Sequence, residues 1–405
     1  MKNSVTERPT GAAATACIPD GLIDAISAVV PEGGALHEPE FAGNEGLYVQ
    51  ECIDTGWVSS VGKFVDRFED CLCDITGAAY SVATVNGTAA LHAALHLSGV
   101  KPGDEVLVPA FGFVALANAV SQCAALPHFV DVNVSTLGVD PCTLGPYLDD
   151  VLELNDSNAF NRRTGRRVSA LLVAHILGHP ADMPALVEIA ARFNLPVVED
   201  AAESLGGFRD GQHTGTFGLI GALSFNGNKT VTTGGGGALI TNNKALGERA
   251  KHLTTTAKIV HPWEFDHDAV GFNYRMPNLN AALGCAQLEN LDDFLRRKRL
   301  LSQRYMDALA AVDGVAFLSE PPGATSSYWL NALLLTSGTA AQRDEVHRQC
   351  HSRGIMTRSA WKPLNSIAPY ADCPSMPVPV TESLYERLIK LPSSPRLAQP
   401  VGPDA

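Results

Sequence analysis

The feature that most constrains the fold is a regular alternation of short apolar segments with amphipathic ones between residues 80 and 200. The segments EVLVP (105–109) and PVVED (196–200) have the length and composition of buried strands, whereas TAALHAALHL (88–97) has the apolar spacing of a helix. Strands that alternate with helices form a parallel sheet, because each crossover packs its helix on a face of that sheet. The sequence therefore predicts an α/β fold.

The same patterns predict how the chain is divided. The N-terminal residues are small, polar and proline-containing, so residues 1–35 are predicted to be a flexible lead-in. A large α/β domain is expected over residues 36–275, because short strands continue as far as GALIT (237–241). Charged helical patterns then begin, and residues 276–405 are predicted to form a smaller C-terminal domain.

The charge balance excludes several classes of partner. The 405 residues include 43 acidic and 30 basic ones, for a formal charge of -13. Such a chain is repelled by the phosphates of nucleic acids and of anionic membranes, so neither is an expected partner. No apolar segment is long enough to cross a bilayer, the N-terminus is unlike a signal peptide, and the nine cysteines have no paired spacing. We expect a soluble, cytoplasmic protein with reduced thiols and no metal site.

Unusual residues follow four of the predicted strands, at the sheet edge where α/β proteins bind ligands. After the first strand, NGTAAL (86–91) places Gly87 and Thr88 at a helix start, where free N–H groups and the helix dipole could hold a phosphate. A simple helix cap is the alternative. After the second strand, Phe111 and Phe113 could stack on a flat cofactor ring, or could be ordinary core residues.

The third and fourth strands end in ionisable residues. VVEDAAES places Asp200 at the end of an apolar strand, where a carboxylate suits either a cofactor ring nitrogen or a helix N-cap. In SFNGNKTVTTGGGG, Lys229 lies between a strand and four glycines, a confined position that suits a Schiff-base lysine. Ser224 could add a hydroxyl to a phosphate site, and the glycines are predicted to let the backbone pack closely.

Taken together, these motifs resemble the DegT/StrS-type family of sugar aminotransferases, which depend on pyridoxal phosphate (PLP). The resemblance extends from about residue 36 to about residue 391. The motifs that carry it are NGTAALH (86–92), PGDEVLVPAFGFVA (102–115), AHILGHPADM (174–183), VVEDAAESLG (197–206), SFNGNKTVTTGGGG (224–237) and GFNYRMPNLNAALG (271–284).

The resemblance implies a fold-type I PLP-dependent aminotransferase. Its α/β architecture would combine a large, mostly parallel sheet domain with a smaller C-terminal α/β domain, in a homodimer with active sites at the interface. Lys229 would carry the cofactor and transfer protons, and Asp200 would pair with the ring nitrogen. The remaining cofactor contacts implied by the resemblance are Phe113 on the ring, Glu203 near the ring hydroxyl, Gly87, Thr88 and Ser224 at the phosphate, and Asn273 at the phosphate of the neighbouring subunit.

A narrower resemblance concerns the substrate. The stretches at 36–69, 224–229 (SFNGNK) and 358–365 (RSAWKPLN) resemble the branch that aminates C4 of UDP-4-keto-6-deoxy-N-acetylhexosamine for surface glycans, with glutamate as the donor. The candidate residues on the substrate side are Trp57, Ser60, Trp361 and Lys362, for each of which a surface or core role is the alternative.

Other activities are compatible with the same motifs. Amination at C3, or of a dTDP- or GDP-linked keto-sugar, would use the same cofactor site. A sugar dehydratase on this scaffold is disfavoured, because that branch has histidine in place of the lysine and this chain has Lys229. A PLP-binding regulator without turnover is an alternative of another class, although nothing in the sequence resembles an attached DNA-binding domain.

Overall fold

The structure, a computed structural model, describes residues 17–398, so the predicted lead-in over residues 1–16 lies outside it. Its α-helices are α1 Leu22–Val29, α2 Glu45–Thr55, α3 Lys63–Thr76, α4 Gly87–Leu97, α5 Ala115–Gln122, α6 Pro141–Val151, α7 Met183–Arg192, α8 Lys244–Thr254, α9 Asn278–Leu288, α10 Leu291–Leu309, α11 Ala340–Ser352 and α12 Pro379–Arg387. Its strands are β1 Tyr80–Thr84, β2 Glu105–Pro109, β3 Leu126–Val130, β4 Leu152–Asn155, β5 Asn158–Asn161, β6 Arg167–Ala174, β7 Val197–Asp200, β8 Phe208–Arg209, β9 Gln212–His213, β10 Ile220–Ser224, β11 Gly237–Thr241, β12 Lys258–Ile259, β13 Asp266–His267, β14 Val315–Phe317, β15 Ala324–Thr325, β16 Asn331–Leu335, β17 Arg358–Ser359 and β18 Leu388–Leu391.

A nine-stranded sheet forms the large lobe. Its main path runs β1-β11-β10-β7-β6-β2-β3, and the hairpin of β4 and β5 joins it alongside β6. The neighbours from β10 to β3 pair in parallel, whereas β11 pairs antiparallel with both β1 and β10. The large sheet is therefore mostly parallel, as the alternation of apolar segments predicts.

The apolar strands are buried on both faces of this sheet. Along β2, Val106 and Val108 pack into the core cluster that contains α4 and α5, while Leu107 packs on the opposite face with residues of α6 and α7. Successive side chains of a strand point to opposite faces, so a strand covered by helices on both sides must be apolar throughout. This explains why EVLVP lacks the alternation of a half-exposed strand.

The small lobe is built on a four-stranded antiparallel sheet in the order β14-β16-β18-β17. Helices α1 and α10 pack on one face of it, where Leu22 and Ile26 join the same core cluster as Leu301 and Leu333. None of the helices within residues 17–398 is long and apolar enough to cross a membrane.

The structure differs from the predicted domain boundaries in two places. Helix α1 lies inside the segment expected to be a lead-in, yet its apolar face is fully buried against α10. Helix α9 follows the predicted boundary at residue 276, but it packs on α2 and α3 of the large lobe through Ala281 and Cys285. Composition alone describes neither contact, because both depend on which apolar face meets which neighbour.

Candidate active site

A cavity of about 460 Å³ lies where the exits of the parallel strands meet the small lobe. It is lined by seven residues proposed from the sequence as cofactor contacts, namely Gly87, Thr88, Phe113, Asp200, Glu203, Ser224 and Lys229. These residues are separated by up to 142 positions in the sequence, counted from Gly87 to Lys229. The sheet brings them together because the carboxyl ends of its parallel strands share one edge.

The first turn of α4 forms one end of the cavity. The side chain of Asn86 caps this helix by accepting a hydrogen bond from the Ala89 N–H at 2.8 Å. A Cβ on Gly87 would lie 2.7 Å from the Ser224 Cβ, and a Cβ on Gly237 would lie 2.5 Å from the Asn86 backbone. The glycines therefore allow the helix start, β10 and β11 to approach closely, which leaves an anion-binding helix N-terminus at the cavity wall.

Strand β7 ends in two acids with different surroundings. The fully buried carboxylate of Glu199 contacts His175 Nε2 at 3.0 Å and accepts hydrogen bonds from the N–H groups of Gly215 and Gly218. Because adjacent strand residues face opposite sides, Asp200 instead lines the cavity. Glu199 thus holds the end of the strand in place, and Asp200 is available to a ligand.

Asp200 is held in a position that suits a cationic partner. Its Oδ1 accepts a hydrogen bond from the Ala202 N–H at 3.0 Å. Burial raises the pKa of Asp200 to about 6, although the Ala202 N–H and the charge of Lys229 oppose this rise. A carboxyl group whose ionised form is disfavoured in this way gains free energy when a protonated ring nitrogen is placed beside it.

Lys229 is positioned by two neighbours within the cavity. Its Nζ lies 3.5 Å from Glu203 Oε1 and 3.7 Å from the centroid of the Trp329 ring. Glu203 Oε2 also accepts a hydrogen bond from the Leu177 N–H at 2.8 Å, and Trp329 Nε1 donates to the Asn228 carbonyl at 2.8 Å. The lysine therefore has a fixed acid on one side and a fixed aromatic face on the other.

The structure separates the two phenylalanines that the sequence offered as ring-stacking candidates. Phe111 is fully buried and makes an edge contact with Trp361 at 5.8 Å between ring centroids. Phe113 lines the cavity with 55% of its surface exposed. An aromatic face left open in a cavity is available to a flat ligand, so Phe113 is the better candidate of the two.

The remaining predicted residues are not all brought to this cavity. Trp361 lines it, whereas the adjacent Lys362 is exposed to solvent. Trp57 lines a separate cavity of about 470 Å³ beside α2 and α3, and the half-buried Ser60 lies three residues further on. Asn273 is exposed and makes a backbone bridge with Thr255. Its predicted contact with the neighbouring subunit stays a prediction.

Several residues of the cavity wall were missed in the sequence. Trp329 and Leu330 precede β16, and Lys390 lies within β18. The segment LIKL of β18 offered a signal, because a lysine inside an otherwise apolar buried strand is costly unless it has a purpose. Trp329 offered none, since an aromatic residue next to an apolar strand is usual in a core.

These groups fit the chemical requirements of PLP, which needs an amine for attachment, an anion site for its phosphate and a carboxylate for its ring nitrogen. Lys229 can supply the amine and Asp200 the carboxylate. The glycine-opened start of α4, where any Cβ on Gly87 would collide with Ser224, leaves room for a phosphate. Fold and site together define a PLP-dependent aminotransferase, which confirms the predicted enzyme class, fold type and cofactor.

The chain belongs to the DegT/DnrJ/EryC1/StrS aminotransferase family, whose model matches residues 40–400. It is 36% identical to a GDP-perosamine synthase of Escherichia coli O157:H7, over 90% of this chain and 94% of that one. It is 34% identical to a GDP-perosamine synthase of Vibrio cholerae, over 89% and 94%. The crystal structure of the aminotransferase TlmJ from Streptoalloteichus hindustanus superposes with a TM-score of 0.79 at 30% identity, covering 88% of this chain and 92% of that one.

These similarities confirm the predicted family and place a sugar among the substrates of this class. They do not support the narrower prediction of a UDP-linked branch. Both relatives are named for a GDP-linked product, which corresponds to one of the alternatives drawn from the sequence.

Proposed function

We propose that this enzyme transfers the amino group of glutamate to C4 of a 4-keto-6-deoxy sugar that is linked to a nucleotide. The observation that carries the proposal is the position of Lys229 Nζ, 3.5 Å from Glu203 and in the same cavity as Asp200. A GDP-linked sugar is the first candidate, because the relatives at 36% and 34% identity are named for such a product. The UDP-linked N-acetylhexosamine is the second, supported by the motifs at 36–69 and 358–365.

When bound, PLP supplies an electron sink that stabilises negative charge on the carbon that loses or gains a proton. Asp200 would hold a proton at the ring nitrogen, which would keep the ring electron-withdrawing. Lys229 removes the Cα proton of the amino donor and later delivers a proton to C4 of the sugar. Glu203, itself fixed by the Leu177 N–H, keeps the lysine amine directed into the cavity between these two events.

We also propose a cytoplasmic homodimer in which Asn273 reaches the cofactor phosphate of the neighbouring subunit. The support is a set of exposed apolar side chains in the segment that precedes Asn273, where Val260, Trp263, Phe265 and Val270 are 78–96% exposed. Apolar groups clustered at a surface commonly mark a protein interface. Size-exclusion chromatography with light scattering would reveal a monomer if this part of the proposal is incorrect.

The first experiment is an absorbance spectrum of the PLP-loaded protein before and after glutamate, and again after each keto-sugar. Glutamate should convert the cofactor band, and the correct sugar should restore it, with the mass of the product identifying the amino sugar. Comparison of the GDP- and UDP-linked substrates separates the two candidates. If glutamate leaves the band unchanged, amino transfer from glutamate is wrong. If glutamate converts it and neither sugar restores it, only the substrate assignment is wrong.

A further inference from the structure

A second lysine, Lys390, lies in the wall of the cavity that holds Lys229. It belongs to β18, an interior strand of the small sheet, where it pairs with Ala332 on β16 and with Arg358 on β17. Its neighbour Ile389 points into the core of the small lobe. Lys390 therefore points the other way, toward the large lobe, with only 6% of its surface exposed.

Within the part of the chain that the structure describes, the ammonium group of Lys390 has no anionic partner. Among residues 17–398 no side chain or carbonyl forms a hydrogen bond or ion pair with its Nζ, which lies 4.0 Å from the centroid of the Trp361 ring. Burial lowers the pKa of Lys390 to about 8, with Glu203 opposing this shift and the charges of Arg358 and Lys229 adding to it. A cation on a side chain that is only 6% exposed is costly without an anion beside it, and a ligand that supplies one would recover that free energy.

The other charged groups of the cavity have a polar neighbour in the protein or a proposed partner in the cofactor. Lys229 lies beside Glu203, and Asp200 accepts from the Ala202 N–H and faces the site of the ring nitrogen. The phosphate site at the start of α4 is on the large-lobe side of the cavity. Lys390 is thus a cation on the small-lobe side that the cofactor contacts leave unused.

The position of Lys390 selects among the anions that could enter. Lys390 lines the same cavity as Lys229 and Glu203, so its ammonium faces the space in which bonds to nitrogen are made and broken. An amino-acid donor carries a carboxylate one bond from its reacting carbon. A nucleotide sugar carries its phosphates at C1, across the ring from a reacting C4. A cation beside the reacting centre therefore matches the amino acid better than the sugar.

We propose that Lys390 binds the α-carboxylate of the amino-acid donor, which orients the Cα–H bond toward Lys229. This inference rests on the proposed transfer from glutamate, and it assigns the donor a specific contact in the small lobe. After the 2-oxo acid leaves, the Trp361 ring forms the wall against which the keto-sugar binds. The ammonium then discriminates amino acids from amines that lack a carboxylate.

The test compares Lys390→Met with Lys101→Met, a matched control that removes an exposed ammonium outside the cavity lining. Each PLP-loaded protein is titrated with glutamate alone and, after conversion, with the keto-sugar. Binding of 2-oxoglutarate to the PLP-loaded protein is measured by calorimetry, because this ligand has the carboxylate but no amine to transfer. Loss of a hydrogen bond to a charged group should weaken glutamate and 2-oxoglutarate about 10- to 100-fold in Lys390→Met. The sugar half-reaction and the control should change less than about 3-fold.

Two results would overturn the inference. In one, glutamate and 2-oxoglutarate bind Lys390→Met as they bind the wild type. In the other, the half-saturation for the sugar rises and that for glutamate does not, which would assign Lys390 to the sugar. If Lys390→Met does not fold, Lys390→Gln, which keeps a polar end group, is tested in its place. The same fold-changes in affinity for glutamate, 2-oxoglutarate and the sugar are then compared. A wild-type protein that reacts with glutamate and with neither sugar would refute the substrate proposal and leave this inference standing.

Discussion

The two walls of the cavity differ in how their polar groups are satisfied. On the large-lobe wall, Asp200 accepts a backbone hydrogen bond and Lys229 lies beside Glu203. On the small-lobe wall, the ammonium of Lys390 lies over the ring of Trp361 and has no ionic partner among residues 17–398. Within residues 17–398, the large-lobe groups are therefore held by polar neighbours, whereas the Lys390 ammonium has an aromatic ring as its neighbour.

This difference indicates that the two walls have separate functions. Groups that are already fixed suit a permanent cofactor, because no free energy is spent on ordering them when it binds. An aromatic face and an unpaired cation suit two substrates that must leave in turn. Substitutions in the large-lobe wall should thus affect the cofactor and the chemistry, and substitutions in the small-lobe wall should affect substrate binding.

The most severe test of these separate functions is Lys229→Ala. It removes the amine that attaches the cofactor and moves the proton, so turnover should fall by more than about 1000-fold. Steady-state assays measure turnover, and borohydride reduction followed by peptide mass analysis detects a lysine that is bonded to the cofactor. Thermal unfolding shows whether the fold is kept. The control is Lys244→Ala, which alters only an exposed ion pair with Glu248. A lysine adduct that survives in Lys229→Ala would contradict the assignment.

Asp200→Asn should have the next largest effect on rate. An amide is isosteric but cannot hold a proton on the ring nitrogen, so removal of the donor Cα proton should slow about 100- to 1000-fold. Cofactor affinity should fall much less. Stopped-flow absorbance with glutamate measures the rate, and a PLP titration measures the affinity. Near-normal rates would show that Asp200 does not act on the ring.

Asp200→Asn should make the cofactor-free protein more stable, although it slows the reaction of the PLP-loaded enzyme. Burial raises the pKa of Asp200 to about 6, so the folded state favours the protonated carboxyl and loses stability as the pH rises through that value. Asp200→Asn should therefore raise the free energy of unfolding by about 3 kcal/mol at pH 7.5. The gain should shrink as the pH falls toward 5. Urea unfolding at both pH values checks this, and an equal gain at both would refute the ionisation argument.

Gly87→Ala tests the phosphate end of the large-lobe wall. The added Cβ would lie 2.7 Å from the Ser224 Cβ and would displace β10 or the helix start. PLP affinity should fall about tenfold, equivalent to about 1.4 kcal/mol. Gly46→Ala is the matched control, because it lies in helix α2 with open space around its Cβ. Equal PLP affinities in the two variants would place the phosphate elsewhere.

Trp361→Leu should give the smallest effect and the clearest contrast between the walls. It removes the ring face beneath Lys390 and the edge contact with Phe111. Substrate half-saturation should rise about 3- to 10-fold, in line with the loss of a cation–π contact and an aromatic pair. The dissociation constant of PLP should not change. If the PLP affinity of Trp361→Leu fell as far as that of Gly87→Ala, the two walls would not have separate functions.

Prediction from sequence anticipated which residues line the cavity where their position follows local chain geometry. Gly87, Asp200 and Lys229 lie at or shortly after the ends of strands, and parallel strands bring their carboxyl ends to one edge of the sheet. It failed where a residue depends on a distant partner. Lys390 has the sequence context of a core strand, and only its direction toward the other lobe gives it a cavity to face.

The amino-acid sequence by itself determined the α/β architecture, the enzyme class and most of the residues at the strand ends that line the cavity. These features depend on periodicity and on neighbours within a few residues, which a single chain displays openly. Tertiary structure alone decided that α1 and α9 pack across the predicted boundaries, and that Lys390 joins Trp361 in the cavity wall. Those outcomes depend on which buried faces meet, and long-range packing leaves no periodic trace in the sequence.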